Sequence, residues 1–420
     1  MTASPARSGA VGPTASSAAP ADQRWAYPLV MTLLAVALGV SGAPAPLYGV
    51  YEREWDLAPL TTTVVFAVYA VAALGAVLVA GQVSDVVGRR PLLIGAAVAM
   101  IVGLVVFMTA QGVASLLLAR AIHGAAVGTT VVAGSAALLD LRPHDGTRSG
   151  HLTGIVFNLG MAVTILGASV LAQYGPHPTV TPYAVVAVVV VVLLLGVLAM
   201  AEPHAARPAR GTVRVRLTRP AVPAEIAADF RFAVLGVVAA WSVLGVYLSL
   251  FPSFAGERTG IRSLVFGGAV VAAMAGAAAL SQAVGGRWTP RRAAIAGDVG
   301  TAVALGLSVA ALDSREPALV LGAGVLMGLC FGLGFGGSLR HLGAVVPAGH
   351  RGEVMSAYYL LAYTGLAVPT VLAGAAATTW GLAATFPWFS LAVGLMCLTA
   401  GLLGLRARDA VPAVPVIPEG

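Results

Sequence analysis

The chain has 420 residues, 58% of them hydrophobic and 10% charged, with a mean hydropathy of +0.90 and a formal net charge of +7. A soluble domain carries charge on about a quarter of its residues, so the composition argues against a water-soluble enzyme or a nucleic-acid-binding protein and for an integral membrane protein. All 24 basic residues are arginine, and the two cysteines, Cys330 and Cys397, sit in apolar runs that offer neither a disulfide framework nor a CxxC metal site.

From the N-terminus, residues 1–26 are rich in Ala, Ser, Pro and Gly and lack an apolar core followed by a small-residue cleavage site, so a disordered tail is expected and not a signal peptide. A bilayer-crossing helix needs about 20 apolar residues, because the hydrocarbon layer is roughly 30 Å thick and each residue rises about 1.5 Å. Twelve such runs follow, numbered here helices 1 to 12: 27–49, 61–80, 92–110, 113–139, 150–173, 182–200, 230–252, 263–284, 293–312, 317–338, 355–377 and 387–405. The connection 201–229, with five arginines among Pro and Ala, divides them into an N-terminal six-helix bundle at 27–200 and a C-terminal one at 230–405. Residues 406–420 end in a proline-punctuated stretch that makes a second tail. Val65-Phe66 precedes Arg89-Arg90 at nearly the spacing by which Val265-Phe266 precedes Arg291-Arg292, the internal rhyme of a duplicated unit.

With an even number of spans both ends lie on one side of the membrane, and the arginines choose the side. The two tails and the connections after the even-numbered helices hold 19 arginines, counting Arg231 at the base of helix 7; the opposite connections hold four, Arg53, Arg258, Arg262 and Arg315, beside several acids. Both termini are therefore expected in the cytoplasm. The net charge is this topology signal, so no nucleic-acid partner is needed to explain it.

Between helices 2 and 3 runs Gly81-Gln82-Val83-Ser84-Asp85-Val86-Val87-Gly88-Arg89-Arg90-Pro91. Gly81 permits a close helix approach, Gly88 turns the short loop, and Arg89 and Arg90 suit anionic headgroups. The stretch resembles the signature loop of the major facilitator superfamily, G-x-x-x-D-[RK]-x-G-[RK]-[RK]. The resemblance covers about 27–405 and implies an all-α integral membrane protein with twelve transmembrane helices in two pseudo-symmetric six-helix bundles. It also implies that Asp85 faces the N-terminus of helix 11, where unpaired N–H groups favour an anion, and so locks the cytoplasmic side. Val86 departs from the pattern, which has a basic residue there and more local partners for the acid. The matching loop of the second half, Gly285-Gly286-Arg287-Trp288-Thr289-Pro290-Arg291-Arg292, has Arg287 where the acid would align. Asp298 follows in helix 9, within reach of the Arg291 and Arg292 layer as an interfacial ion pair or, alternatively, as a proton carrier.

Arg120 in helix 4 is the one arginine inside a span. Burying it costs a few kcal/mol at least (about 3 on insertion scales), so it should face the bundle interior or a wet cavity, or else snorkel to the outer interface. It matches the family's helix 4 pattern R-x-x-x-G, which the resemblance links to proton transfer or anionic groups. His123 shares its helix face and is of a residue type that titrates near neutrality. Helix 1 carries Pro44 and Pro46 just before Tyr48, a kink that either lines a cavity or serves packing. Gly324, Gly328, Gly332 and Gly336 form a stripe on helix 10 that suits close packing or a bending gate. Asn158, Trp241, Tyr247, Tyr359 and Tyr363 complete the candidate substrate or proton-coupling group, with Gly81, Asp85, Gly88, Arg89 and Arg90 as a gating loop.

The expected protein is thus a monomeric secondary transporter of a bacterial cytoplasmic membrane, without metal or cofactor, whose partners are protons, lipid and a small molecule. No nucleotide-binding loop G-x-x-x-x-G-K-[ST] occurs, which makes proton coupling the default. Aromatic and hydroxyl groups inside the spans suit efflux of a small, partly apolar compound. Helix 5 lacks the glycine-rich Gly-Pro-x-x-Gly-Gly antiporter motif, so uptake of a sugar or other metabolite stands as the alternative. An integral-membrane transferase is the remote one, because His341 and His350 have no acidic cluster beside them in sequence. Reporter fusions after Met200 and after Glu257 should give cytoplasmic and external signals respectively; the reverse pattern overturns this topology.

Overall fold

The computed structural model describes residues 23–204 and 221–407, and every regular element among them is helical. The expectations for the two tails and for most of the 201–229 connection therefore fall outside the described residues, apart from their inner ends. Twelve helices are long and apolar enough to cross a membrane. Helix 1 runs Ala26–Gly42 and resumes as Tyr48–Trp55; helices 2 to 6 are Pro59–Val87, Arg89–Met108, Val113–Leu141, Gly146–Tyr174 and Thr181–Ala199. Helix 7 is Ala227–Ser249 with a short continuation Phe251–Thr259, and helices 8 to 12 are Leu264–Gly285, Pro290–Ser314, Pro317–Val345, Arg351–Trp380 and Leu382–Arg406. Several helices outrun the apolar stretches that announce them, helix 2 to Val87 and helix 10 to Val345. Apolarity marks only the part immersed in hydrocarbon, whereas the i to i−4 hydrogen bonds go on satisfying the backbone beyond it.

The internal rhyme is realised in packing. Helices 1 and 5, 2 and 4, 3 and 4, and 3 and 6 pair in the first half; helices 7 and 11, 8 and 10, 9 and 10, and 9 and 12 pair in the second. The halves meet along two equivalent seams, helix 2 on helix 11 and helix 5 on helix 8. An apolar cluster crosses the middle of this joint, bringing Phe66, Met161 and Ile165 of the first half against Leu248, Val271 and Leu366 of the second.

Lipid is as apolar as leucine, so helices in a bilayer associate through close van der Waals contact, which small residues permit. The stripe on helix 10 serves this purpose: Gly324, Gly328, Gly332 and Gly336 lie against Val270, Met274, Ala278 and Gln282 of helix 8, a four-residue register matched on both sides. A side chain at Gly328 would run into the main chain of Met274. In the first half, Gly124 and Gly128 of helix 4 bear in the same way on the main chain of Tyr69 and Ala73 in helix 2.

Gly306 on helix 9 is exposed and has nothing near its missing side chain, which makes it a control. Gly328→Leu should abolish monodisperse protein or lower its Tm by more than 10 °C, because overpacking costs about 1–3 kcal/mol even where the obstacle is a movable side chain and here it is backbone. Gly306→Leu should shift Tm by less than about 2 °C, as surface changes do. Size-exclusion and thermal-unfolding profiles of the two variants check this.

Candidate functional site

The site begins with the break in helix 1. Pro44 and Pro46 supply no N–H, so the helix stops at Gly42, passes through a 3-10 turn at Ala45–Leu47 and restarts at Tyr48. Arg120 reaches into this break. Its Nη1 donates to the Ser41 carbonyl at 2.8 Å, its Nε donates to the Tyr48 hydroxyl at 2.8 Å, and Nη2 donates to the same hydroxyl. The side chain is fully buried, so it does not snorkel to the outer interface. The guanidinium carbon lies 5.3 Å from the ring centre of Tyr48, 5.8 Å from Phe66, 5.5 Å from Tyr69 and 5.9 Å from Phe107.

Among the described residues no carboxylate pairs with Arg120. Its counter-charge is the negative end of the first segment of helix 1 together with four aromatic faces. His123, one turn further along helix 4, is also fully buried, with its ring 5.1 Å from Phe107. The main chain of Met100 lies beside the imidazole without giving either ring nitrogen a hydrogen bond of normal geometry. The structure thus brings Arg120, His123 and Tyr48 into one cage, and adds Ser41, Phe66, Tyr69 and Phe107 to it.

The other candidates lie elsewhere. Trp241 meets Tyr363 edge-on at 4.9 Å and Phe335 at 5.9 Å, forming an aromatic run at the joint between the halves. Tyr359 packs edge-on against Tyr358 at 5.6 Å. Asn158 donates back to Gly154 of its own helix at 3.0 Å. Tyr247 departs from the cavity-lining expectation: it is buried in the second half, stacked on Phe251 at 4.1 Å and hydrogen-bonded to Ser308 at 3.2 Å. That face of helix 7 turns toward helix 9, which a polar-residue count along one helix does not reveal.

Two clefts separate the halves. The one on the arginine-rich side has a volume of about 730 Å³ and is bounded by helix 5 and by helices 8 and 10. The one on the opposite side, about 890 Å³, carries Glu52, Arg53, Glu257 and Arg262. Hydrogen bonds tie the halves together on that opposite side. Ser253 donates to Glu52 at 2.9 Å, Ser263 and the Val265 amide donate to Gln173 at 2.7 and 3.0 Å, and the Leu60 amide donates to Thr378 at 3.0 Å.

The loop between helices 2 and 3 is held by its own half. Arg89 donates to Asp85 at 2.6 Å, Ser84 at 2.8 Å and Asp140 at 3.0 Å; Glu202 accepts from the main-chain amides of Arg89 and Arg90 at 2.8 and 3.1 Å. Arg90 donates to the closing carbonyls of helix 6, Val197 and Leu198. The two arginines are bound to protein groups, because Asp140, Glu202 and the end of helix 6, distant in sequence, fold against them. Asp85 is 59% exposed, and its bond is to Arg89; none reaches helix 11.

His341 and His350 each have one acid as neighbour: Asp229 lies 2.9 Å from His341, buried between helices 7 and 10, and Glu353 lies 2.9 Å from His350. One further expectation is corrected. Asp298 makes no ion pair with Arg291 or Arg292. It is 3% exposed and faces Gly236 of helix 7 and Gly334 of helix 10, with one carboxylate oxygen lacking a hydrogen-bond partner. Those glycines leave the space into which the acid turns, while Arg291 donates to the carbonyls of Gly404 and Leu405.

A model of the Major Facilitator Superfamily matches residues 29–294, from helix 1 into the start of helix 9 and well over half of the chain. The chain belongs to this superfamily. No curated protein matches it. The superfamily is one of transporters, so the two half-molecules, the seams and the clefts belong to a multi-pass membrane transporter.

Because Arg120 satisfies two buried acceptors, Arg120→Ala should lower stability by about 2–6 kcal/mol, at about 1–3 kcal/mol per orphaned group. Arg120→Lys should recover less than half of the Tm loss, since one ammonium lacks the planar fork that spans Ser41 and Tyr48. Full recovery by lysine, read in thermal unfolding of the purified protein, would mean that charge alone matters.

Proposed function

We propose that this transporter exchanges protons for a small, partly apolar organic compound and exports it, and that it lies in a bacterial cytoplasmic membrane with both termini in the cytoplasm. The observation that carries this reading is the asymmetry of the joint between the halves. A cleft lies between them on each side, about 730 Å³ on the arginine-rich side and about 890 Å³ on the other, and on that other side hydrogen bonds run from half to half. That is the geometry of one state of an alternating-access cycle about a midplane site. The positive-inside rule assigns the arginine-rich side to the cytoplasm, and the cleft there, away from those bridging bonds, is the loading side for export.

Proton coupling is supported by titratable groups enclosed in the spans, namely His123, Asp298 and the Asp229 and His341 pair, since such groups inside a membrane mark ion pathways by default. The aromatic run of Phe335, Trp241 and Tyr363 supports an apolar or aromatic body in the cargo. Proton-coupled uptake of a sugar or other metabolite is the second reading, favoured by the missing antiporter motif in helix 5.

Protein reconstituted in proteoliposomes and screened across compound classes should accumulate cargo only when a pH gradient is imposed, and a protonophore should abolish accumulation. Asp298→Asn and His123→Ala should each change the pH dependence of this accumulation while leaving cargo exchange at equilibrium within about threefold of wild type, an expectation based on the separation of coupling from binding. Accumulation that survives the protonophore, or pH profiles unmoved in both variants, removes protons from the mechanism.

A further inference from the structure

The arginines of the cytoplasmic side differ in what they meet. Arg89, in the loop between helices 2 and 3, meets Asp85 and Asp140, and Glu202 closes the same cluster. Arg148 of helix 5, Arg287 after helix 8 and Arg340 of helix 10 instead line the cleft between the halves, together with His151, and no Asp or Glu lines it among the described residues. Arg340 is held in place by main-chain carbonyls, donating to Gly285 at 2.9 Å, Gly336 at 3.3 Å and Trp288 at 3.4 Å. Its position is thus fixed without its charge being neutralised. The positive-inside rule explains why arginines lie on this side; it does not by itself gather three of them around one cleft whose described lining holds no acid.

The opposite cleft differs. There Glu52 and Glu257 offset Arg53 and Arg262. A solute that moves from one cleft to the other therefore leaves a strongly positive vestibule for a balanced one. Beneath the positive rim the inner wall of the cytoplasmic cleft is uncharged: Phe335 lines it, with Trp241 and then Tyr363 behind, and Ser281 and Gln282 supply hydrogen-bonding groups. Its volume of about 730 Å³ is that of a site for one drug-sized molecule, about 300–1,000 Å³. Low-dielectric walls lined by one sign of charge focus the field and concentrate counter-ions.

We propose that the cytoplasmic cleft binds an organic anion, its carboxylate, sulfonate or phosphate group held by Arg148, Arg287 and Arg340 and its apolar body directed toward Phe335 and Trp241. This names the cargo class of the transport reading above and rests on it. An anionic lipid headgroup presents the same chemistry, so the test separates the two sources.

The probes are 1-naphthoate and 1-naphthylmethylammonium, one ring system with opposite charges, measured by equilibrium binding to the full-length protein in nanodiscs of zwitterionic lipid. Naphthoate should bind saturably, with a Kd that rises at least fivefold between low and high salt, and the ammonium should bind at least tenfold more weakly. The combined Arg148→Gln, Arg287→Gln and Arg340→Gln variant should weaken naphthoate at least tenfold. The same three changed to Lys should keep most of the preference and so show that a misfolded cleft is not the cause. Equal binding of the two probes, no binding of either, or a naphthoate Kd within twofold of wild type in the Gln variant overturns the assignment. Loss of naphthoate binding in discs of phosphatidylglycerol makes the cleft a lipid site and also overturns it; binding unaffected by that lipid supports a solute. Gradient-driven accumulation of the ammonium but not of naphthoate would sink this proposal while leaving the transporter reading standing.

Discussion

One guanidinium organises the first half of the molecule. Arg120 of helix 4 bonds to both segments of helix 1, and the rings around it come from helices 1, 2 and 3. In lipid there is no water to satisfy a severed backbone, so a helix broken by Pro44 and Pro46 persists only if something else binds its open end. The arginine supplies donors where the prolines removed them, and the break supplies the partial negative charge that a lone buried cation requires. Neither is stable alone. The kink, the cage and the packing of four helices follow from this mutual dependence.

The second half solves its polar problems in another way. Among the described residues it has no buried arginine at the corresponding level; it has Asp298 in a space left by glycines and a carboxylate paired with an imidazole, Asp229 with His341. The halves share their helix pairing but not their chemistry. Pseudo-symmetry is a property of the small-residue contacts along helices 2 and 4 and helices 8 and 10, and the charged groups are laid over it independently. An asymmetric pair of half-sites suits a joint whose two faces alternate in opening.

The fold was legible because hydrocarbon imposes it. A helix must be apolar for about 20 residues to cross, and twelve runs of that kind leave little else to build. The glycine stripe of helix 10 was legible as close packing for the same reason, since four-residue spacing has one geometric meaning on a helix. Arg120 was legible as an inward-facing group because its cost in lipid excludes most other placements. What stayed hidden were pairings across long separations. Asp229 and His341 are 112 residues apart, and Glu202 lies 113 residues from the amide of Arg89 that it binds. A periodic pattern along one helix says which residues share a face, and nothing about which face of which partner that face will meet; Tyr247 and Asp298 were misplaced on that account.

The bonds that join the halves on the opposite side have a common character. Ser253 to Glu52, Ser263 to Gln173 and Leu60 to Thr378 each join a hydroxyl or an amide to a single acceptor, and no arginine clamps a carboxylate across the joint among them. A hydrogen bond of this kind contributes a net of about 1 kcal/mol, somewhat more where one partner is charged. Together these bridges contribute a few kcal/mol, comparable with what one ligand supplies by binding one conformation about a hundred times better than the other. A molecule latched this lightly needs no chemical fuel at the latch itself; occupancy of the cleft is enough to tip it.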